Sequence, residues 1–373
     1  MARTLIGVGD PKAVKKYSGM LAVDVARDAY WTSTMVGTGP TTQLPIQRIT
    51  DLEKGAGDLI TYDLSLQLRG QPTIAGETLE GNEEDLRFAT DQLYIDQMRK
   101  AVSAGDKMTQ KRTLIDLRMV AKARLTEWWT RIYDEIFFVY MSGARGINTD
   151  YILNPSFQGF AGNPMIAPDP LHHMYGGVAT SYATLATTDV MSLAVVDKLK
   201  VRSTMMGGGV QGTPQIQPIK IDGGDYFVLL MSPHQEYAMR TNTNVGQWLD
   251  IQKALTLSMG KENPIFKGGL GMYNDVILKS HKSVVRFNDA GAGANVNAAR
   301  ALFLGRQAAV VAFGSAGQGM SFDWIEKAMD YDDVLNVASA SIFGIKKCSY
   351  NIAGTSYDFG LIAVDTAIDA TLG

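Results

Sequence analysis

The stretch that decides the fold of this chain runs from Gly57 to Met141 and opens with the residues GDLITYDLSLQL. Apolar and polar residues alternate strictly in its first part, which is typical of a half-buried β-strand. The apolar face of this strand consists of Tyr62, Leu64, Leu66 and Leu68. A tip rich in Gly, Pro and acids follows at Gly70–Asp85, and a second strand returns through Leu86, Phe88, Leu93 and Ile95. Because two paired strands alone are marginally stable in water, we expect this hairpin arm to lie on another surface.

The second part of the stretch predicts one long amphipathic helix from Thr113 to Met141. Its apolar residues recur at intervals of three and four, which matches the helical period. They are Leu114, Leu117, Ala121, Leu125, Trp128, Ile132, Ile136 and Val139. Asp106 or Thr109 can cap the start of the helix, and Gly143 is suited to end it. Such a helix spans about 43 Å, which is long enough for a structural spine.

Charge is segregated along this part of the chain. Residues Asp51–Gln97 contain eleven acids and three bases, a net charge of −8, whereas Met98–Arg131 contain nine bases and three acids, a net charge of +6. Packed copies of the chain can pair one zone with the other. Two solvated faces of a monomer are the alternative interpretation.

The composition is that of a folded protein. The 373 residues are long enough for two or three domains, with a hydrophobic share of 46% and a charged share of 20%. The net charge of −3 argues against a dedicated nucleic-acid binder, which usually carries a strongly basic face. The single cysteine, Cys348, excludes an internal disulfide. We find no apolar run of membrane-spanning length and no signal-peptide core, so we expect a soluble chain made inside the cell, without a membrane partner.

Helices and strands are mixed in the rest of the chain. The first 50 residues have too little core pattern to fold alone, so we expect an arm, with a helix near Tyr17–Trp31, that lies across another part of the protein. After the long helix come loops, an insert of short helices and strands, and closing strands from Tyr331 to Asp365. Because these elements do not alternate as βαβ units, their order predicts an α+β fold.

Motifs that suggest chemistry lack the context that the chemistry needs. Gly207–Gly212 fits the dinucleotide-binding pattern, but a helix precedes it and an extended segment follows. Gly314–Gly319 lacks the Lys-Ser/Thr of a phosphate loop. His172 and His173 beside Asp169 do not have the ligand spacing of a zinc site. The pattern His234–Glu236 resembles part of a zinc deaminase motif, whose two cysteines this chain cannot supply. We therefore predict no catalytic residue, no cofactor and no metal.

Several segments, in this order along most of the chain, resemble the major capsid proteins of N4-like tailed phages. They are Gly57–Ile60, Leu64–Leu68, Thr78–Glu84, Asn263–Phe266, Gly269–Asn274, Leu302–Gly305, Gln307–Ala308 and Phe359–Ala367. The resemblance implies the tailed-phage major capsid fold first described for the Hong Kong phage shell. That fold has an N-terminal arm, an extended β-hairpin loop, a long spine helix, and peripheral and axial domains.

The resemblance also implies a domain organisation and a function. The expected parts are an N-terminal arm (1–56), an extended loop (57–97), a peripheral domain with the spine helix (98–180), an axial domain (181–325) and closing strands that return to the peripheral domain (326–373). We expect a major capsid protein whose copies self-assemble into hexamers and pentamers of an icosahedral head. The head would enclose double-stranded DNA through non-specific contacts. Portal, scaffolding and cement proteins are further candidate partners, and the expected location is the virion, after assembly in the host cytoplasm.

A contact between subunits follows from combining the resemblance with the charge pattern. The apolar face of the hairpin would press on the spine domain of a neighbouring copy, through Tyr62, Leu64, Leu66 and Leu68. The acids of the tip would meet basic residues there, and they are Glu77, Glu80, Glu83, Glu84 and Asp85. The basic candidates are Arg99, Lys100, Arg118 and Lys122.

Two other functions stay open at this point. The shell protein of an encapsulin-type nanocompartment shares this fold and would look alike in sequence. A nucleotide- or metal-dependent enzyme is the alternative from a different class, and the failed motif contexts disfavour it.

Overall fold

The computed structural model describes residues 11–53, 57–66, 68, 70–76, 78–206, 215–221, 223–241, 271–314, 322–331, 333–352 and 354–369. The helices of these residues are α1 (Pro11–Asp28), α2 (Tyr30–Thr34), α3 (Lys107–Arg112), α4 (Leu117–Ser142), α5 (Leu193–Met205) and α6 (Pro233–Thr241), with 3-10 turns at Asp51–Glu53 and Tyr182–Thr184. The strands are β1 (Val36–Thr38), β2 (Ile46–Ile49), β3 (Leu59–Ser65), β4 (Phe88–Tyr94), β5 (Asp96–Asp106), β6 (Gly159–Phe160), β7 (Asn163–Pro164), β8 (His173–Tyr175), β9 (Ile219–Ile221), β10 (Gly224–Met231), β11 (Gly271–Tyr273), β12 (Val276–Ser280), β13 (Arg286–Ala290), β14 (Val296–Leu304), β15 (Ala309–Phe313), β16 (Asp323–Met329), β17 (Val334–Lys347), β18 (Ser349–Ile352), β19 (Thr355–Asp358) and β20 (Leu361–Ala367).

The long helix α4 exists as predicted but begins four residues later. Asp116 caps it, because its side chain accepts hydrogen bonds from the backbone N–H groups of Arg118 and Met119 at 3.0 and 3.4 Å. Asp106 caps the separate short helix α3 instead. The predicted apolar position Leu114 was therefore wrong, since that residue precedes α4 and its side chain is fully exposed. The predicted stop is confirmed, because Gly143 has a φ of 67° and donates to the carbonyl of Val139.

Helix α4 packs on a six-stranded sheet in the order β1-β2-β15-β17-β16, with β5 on the other side of β17. The central strand β17 presents two hydroxyls to the helix. Trp129 Nε1 donates to Ser339 Oγ at 2.6 Å, and the Tyr133 hydroxyl lies 3.1 Å from Ser341 Oγ. Both aromatic rings are fully buried, so each polar tip has the partner that burial requires. These contacts fix the rotation of α4 on the sheet.

A second sheet of eight strands has the order β11-β12-β10-β14-β20-β8, with β9 on β10 and β13 on β14. Its central strands β14 and β20 are buried along nearly their whole length, which is typical of a sheet covered on both faces. One face packs under α5 and α6, through Leu199, Met239 and Phe303. The other face carries Val228 and Leu302 into the same apolar core that surrounds α4. The mixed helices and strands confirm the predicted α+β class.

The N-terminal residues are anchored on the core rather than folded apart from it. Strand β2 pairs in parallel with β15, and the side chain of Trp31 is fully buried against Phe137 and Phe138 of α4. The carboxylate of Asp134 accepts hydrogen bonds from the backbone N–H groups of Tyr30 and Trp31, at 3.2 and 3.4 Å. A helix does occupy most of the predicted range Tyr17–Trp31, but it starts at Pro11 and ends at Asp28.

The extended hairpin is formed by β3 and β4, as the alternation predicts. The ladder runs from Leu59 opposite Tyr94 to Ser65 opposite Phe88, so β3 ends before the predicted position Leu68. Among the described residues from 66 to 87, no strand or helix is present. The hairpin therefore has a base paired as a β-ladder and a distal part without regular secondary structure in its described residues, which we call the loop tip (residues 66–87).

The base of the hairpin is bound tightly to the rest of the chain. The Lys346 ammonium of β17 forms an ion pair with Asp91, and both side chains are nearly buried. The side-chain amide of Asn163 pairs with the backbone of Tyr94, as the backbone of a neighbouring strand would. Its Oδ1 accepts from the Tyr94 N–H at 3.0 Å, and its Nδ2 donates to the Tyr94 carbonyl at 2.8 Å. A Cβ at Gly344 would lie 2.1 Å from that carbonyl oxygen, so only glycine fits. These contacts set the direction in which the loop tip leaves the core.

The buried carboxyl of Asp134 makes the stability of the chain depend on pH. Burial raises the pKa of Asp134 from 3.8 to about 7. Between pH 3.8 and pH 7, Asp134 is protonated in the folded chain and ionised in the unfolded chain. The stability contributed by this group therefore falls as the pH rises, and it levels off above about pH 7. We expect the free energy of unfolding of the unassembled chain, relative to Asp134→Asn, to fall by about 2 kcal/mol from pH 5 to pH 8. Urea titrations at several pH values measure this difference, and parallel pH profiles for the two proteins would contradict it.

Removal of Asp91 tests the base of the hairpin. Asp91→Ala leaves the nearly buried Lys346 ammonium without its carboxylate and removes the acceptor of the Tyr62 hydroxyl. We expect a loss of about 3 kcal/mol in the free energy of unfolding. Asp85→Ala removes an exposed carboxylate of the same hairpin and should change it by less than about 0.5 kcal/mol. Equal urea midpoints for the two variants would show that the ion pair does not hold the hairpin.

Candidate subunit interface

The apolar face of the hairpin is partly covered by its own chain. Tyr62, Leu64 and Leu66 pack on a cluster that joins β4 to β18 and the closing strands. Burial raises the pKa of Tyr62 well above its ordinary value, so its hydroxyl stays protonated and donates to Asp91 at 2.6 Å. The side chain of Leu68, in contrast, is 61% exposed. Of the four residues predicted to press on a neighbour, Leu68 has the largest apolar surface left to do so.

The loop tip exposes apolar and acidic side chains together. Its exposed apolar residues, with Phe88 at the adjoining end of β4, are Leu68, Ile74, Leu79, Leu86 and Phe88. The acids Glu80, Glu83, Glu84 and Asp85 are exposed as well, whereas Glu77 lies outside the described residues. Glu84 accepts a hydrogen bond from the backbone N–H of Gly70, which ties the outgoing strand to the returning one. Apolar surface of this extent, bordered by charge, is typical of a contact site.

Two of the four basic candidates already have acidic partners within the chain. Arg118 lies 2.6 Å from Glu326 of β16, whose side chain is almost fully buried. Lys122 lies 3.4 Å from Asp24 of α1. Both ion pairs attach α4 to elements packed beside it. The sequence analysis predicted that these basic residues meet the loop of a neighbour. In the structure, Arg118 and Lys122 pair with acids of their own subunit instead.

The other two candidates lie on β5, an outer strand of the six-stranded sheet. The Lys100 ammonium is 5.5 Å from the ring centre of Trp128, on the side where α4 packs. Arg99 is on the opposite face of the strand and is exposed. It stands opposite Ala340 of β17, which in turn stands opposite Asp323 of β16. Arg99 therefore belongs to the face of the sheet that α4 leaves uncovered.

This uncovered face, which we call the outer face, has a floor of small side chains and larger ones at its edges. Ala101 of β5 stands opposite Ala338 of β17, and Ala338 stands opposite Ile325 of β16. The side chain of Ile325 is 58% exposed, and Lys327 on the same strand face is exposed too. The outer face thus offers a shallow apolar surface with the basic groups of Arg99 and Lys327 and with one exposed acid, Asp323. Its apolar floor and its two basic groups complement the loop tip.

The histidines that resemble metal ligands in the sequence are structural. His172 and His173 point to opposite sides, with His172 Nδ1 2.7 Å from Asp169 Oδ2 and His173 Nε2 2.7 Å from Asp365 Oδ2. Asp365 also receives two hydrogen bonds from the Arg300 guanidinium, at 2.7 and 2.8 Å. Burial alone would raise the pKa of Asp365, but Arg300 and His173 lower it below its ordinary value. In the described part of the chain, no group of three or more His, Cys, Asp or Glu residues could hold a metal ion.

Sequence reasoning missed these buried ion networks. Lys347 of β17 pairs with Asp358 of β19 at 2.7 Å, and the backbone N–H of Asp358 donates to Asp169. His172 is thereby joined to the six-stranded sheet, whereas His173 is joined to the eight-stranded one. The signal that could have found them is a charged residue inside an apolar strand, as with Asp365 in GLIAVDTA.

Two other motifs of the sequence either lie outside the described residues or make structural contacts. Gly207–Gly212 lies outside the described residues. The side chain of Gln235, between His234 and Glu236, is buried and donates to the carbonyl of Ala299 and to Thr366. Within the described residues, no helix is both long and apolar enough to cross a membrane.

Comparisons with known proteins agree on one family. The major capsid protein of Pseudomonas phage KPP25 is 26% identical over 371 residues, which cover 92% of each chain. The capsid of Ralstonia phage GP4 is 49% identical, with a TM-score of 0.85 over 99% of both chains. The capsid of Cyanophage Pam1, at 20% identity, has a TM-score of 0.69 over 89% of this chain and 91% of that one, which supports the fold.

These matches confirm the predicted capsid fold and favour neither the nanocompartment shell nor the enzyme. The family model described as phage capsid protein matches residues 5–370. Because that match spans nearly the whole length, the chain belongs to the phage capsid protein family.

Proposed function

We propose that this major capsid protein forms the hexamers and pentamers of an icosahedral phage head that encloses double-stranded DNA. The observation that carries the proposal is the 49% identity to the Ralstonia phage GP4 capsid over 99% of both chains. The loop tip supports it physically, because apolar side chains such as Leu68, Leu79 and Leu86 are exposed there in the single subunit. The role is structural and requires contact surfaces rather than a catalytic site.

The partners and the setting of assembly belong to the same proposal. Packaged DNA would be contacted non-specifically, in keeping with a net charge of −3 and the lack of a strongly basic overall composition. Portal, scaffolding and cement proteins are the further proposed partners, and assembly would take place in the host cytoplasm. We also propose the division into an arm (1–56), an extended loop (57–97), a peripheral domain (98–180), an axial domain (181–325) and closing strands (326–373).

We infer that the loop tip of one subunit lies on the outer face of the six-stranded sheet of a neighbour. The apolar contribution comes from residues such as Leu68 and Leu79, since full burial of one leucine side chain stabilises a contact by about 1.5–3 kcal/mol. The apolar floor at Ala101, Ala338 and Ile325 is the surface that would receive them. Both sides of the contact are apolar at their centres, which is where contact energy concentrates.

Charge would set the register of this contact. Glu83 and Glu84 at the loop tip are exposed, and so are Arg99 of β5 and Lys327 of β16 on the outer face. Exposed pairs of this kind add little stability but suppress wrong partners and orient the encounter. Lys100 lies on the opposite face of β5, toward Trp128 of α4, and is therefore a weaker candidate. Arg118 and Lys122 are weaker candidates for this role, because they already pair with acids of their own chain.

Electron microscopy of the purified chain tests the proposed function. We expect closed shells or ring-shaped capsomers, and nuclease-resistant DNA inside particles purified from infected cells. A compact monomer that persists at high protein concentration would contradict the proposal. Shells that enclose an enzyme instead of DNA would favour the nanocompartment alternative.

Charge reversal tests the placement of the loop tip. We expect Glu83→Lys with Glu84→Lys to lower the yield of assembled particles about tenfold, because like charges then meet across the contact. The free energy of unfolding of the unassembled subunit should stay within about 1 kcal/mol of wild type, since both residues are exposed and the hydrogen bond from Gly70 to Glu84 is open to solvent. Adding Arg99→Glu and Lys327→Glu to the same chain should restore assembly. Sedimentation of particles measures the yield, and failure of the fourfold variant to recover would place the loop tip on another surface.

A further inference from the structure

The hairpin that joins β16 to β17 ends in a fully exposed tyrosine. The side chain of Tyr331 has a relative exposure of 102%, so no described residue of its own chain covers the ring. Asp330 and Tyr331 both have a positive φ, 51° and 49°, and the Asp330 carbonyl accepts from the N–H of Asp333 at 3.0 Å. A bulky residue is rarely found with a positive φ, because its Cβ then crowds the backbone. The turn thus holds a large aromatic ring in solvent at a cost in backbone energy.

The side chains around this ring are acidic on one side of the corner and basic on the other. The turn carries Asp330 and Asp333, and next to it Met329 is 51% exposed. The carbonyl of Asp333 accepts from the backbone N–H of Lys107, so helix α3 begins directly beside the turn. Helix α3 has the sequence KMTQKR, without an acid, and its Met108 is exposed. One corner of the subunit therefore carries an acidic, aromatic half and a basic, apolar half.

Such a corner is complementary to a second copy of itself. Two different patches of one subunit can fit each other. The first patch of each copy then binds the second patch of one neighbour, and its own second patch binds the first patch of another neighbour. Contacts of this kind close into a ring when the rotation between neighbours divides a full turn, and they otherwise extend into a filament. The opposite charges of the two halves match this head-to-tail arrangement, and they would repel in an arrangement that put like halves together.

We propose that Tyr331 of one subunit, with Asp330 and Asp333 near it, docks on helix α3 of a second copy of this chain. The ring of Tyr331 would lie on Met108, where a thioether and an aromatic ring attract each other, and under the cationic side chains of Lys111 and Arg112. Leu114 and Ile115, exposed just after α3, extend the apolar part of the receiving surface. This contact rests on the proposed self-assembly and is separate from the loop tip and the outer face.

Substitution of Tyr331 separates this contact from folding. Asn tolerates a positive φ, so Tyr331→Asn should leave the unfolding midpoint of the unassembled subunit unchanged or higher. We expect the same variant to lower the yield of assembled particles about tenfold, as measured by sedimentation and electron microscopy. Tyr331→Phe keeps the ring and is the matched control, with a yield within about twofold of wild type. A wild-type yield from Tyr331→Asn would overturn the proposal.

A charge change on the receiving helix gives a second, independent test. Lys111→Glu places an acid opposite the acidic turn, and we expect a loss of assembly at least as large as that of Tyr331→Asn. Both tests are distinguishable from a failure of the proposed function. Absence of particles from the wild-type chain would sink the capsid role together with this contact, whereas normal particles from both variants would sink the contact alone.

Discussion

The C-terminal half of helix α4 is the constraint on which the rest of the structure depends. Every residue from Ile132 to Ser142 is buried, so this half of the helix is surrounded on all sides by the two sheets and the N-terminal segment. Two of those residues are carboxylates whose burial must be compensated. Asp134 accepts from the backbone of α2, and Glu135 accepts from the N–H groups of Ile152 and Leu153 at 2.7 and 3.2 Å. The helix thereby fixes the chain segments on either side of it as well as the apolar core.

Local patterns predicted the elements that this constraint arranges, and failed where distant contacts decide. The sequence predicts α4 from its 3.6-residue period and β3 from its alternation, because one face of each element is buried. The start of α4 could not be predicted from the sequence, since Asp106 and Asp116 are equally suited to cap a helix. Pairing decides between them: Asp106 ends β5, whose ladder with β17 reaches Val334, and the chain needs the short helix α3 before α4 can begin. The sequence contains no local signal for that partner, more than 200 residues away.

The buried charges show the same limit for the candidate site. Arg300 and Asp365 are 65 residues apart, and His173 is 192 residues from Asp365, so no spacing rule connects them. Their chemical type was nevertheless visible as ionised residues inside apolar strands, which must find partners once buried. Pattern reasoning could have predicted that such partners exist but not which residues they are. The family resemblance predicted the fold and function that the comparisons support, because it rests on segments spread along most of the chain.

Buried and exposed charges have different roles in this subunit, and the difference concerns how it can stay folded and still assemble. Charges close to the core are paired inside the chain, as with Arg300 and Asp365, where both side chains are buried and water is excluded. Charges at the loop tip and on β5 remain in water, where pairing is weak and easily exchanged. A contact between subunits built from such groups can form and dissociate without disturbing the interior, which allows errors in assembly to be corrected. Apolar side chains beside those charges then supply the stability that exposed ion pairs lack. In the proposed contact, the segregation of charge along the sequence would serve two functions, internal packing and contact between copies. Only the three-dimensional neighbours of each residue distinguish the two.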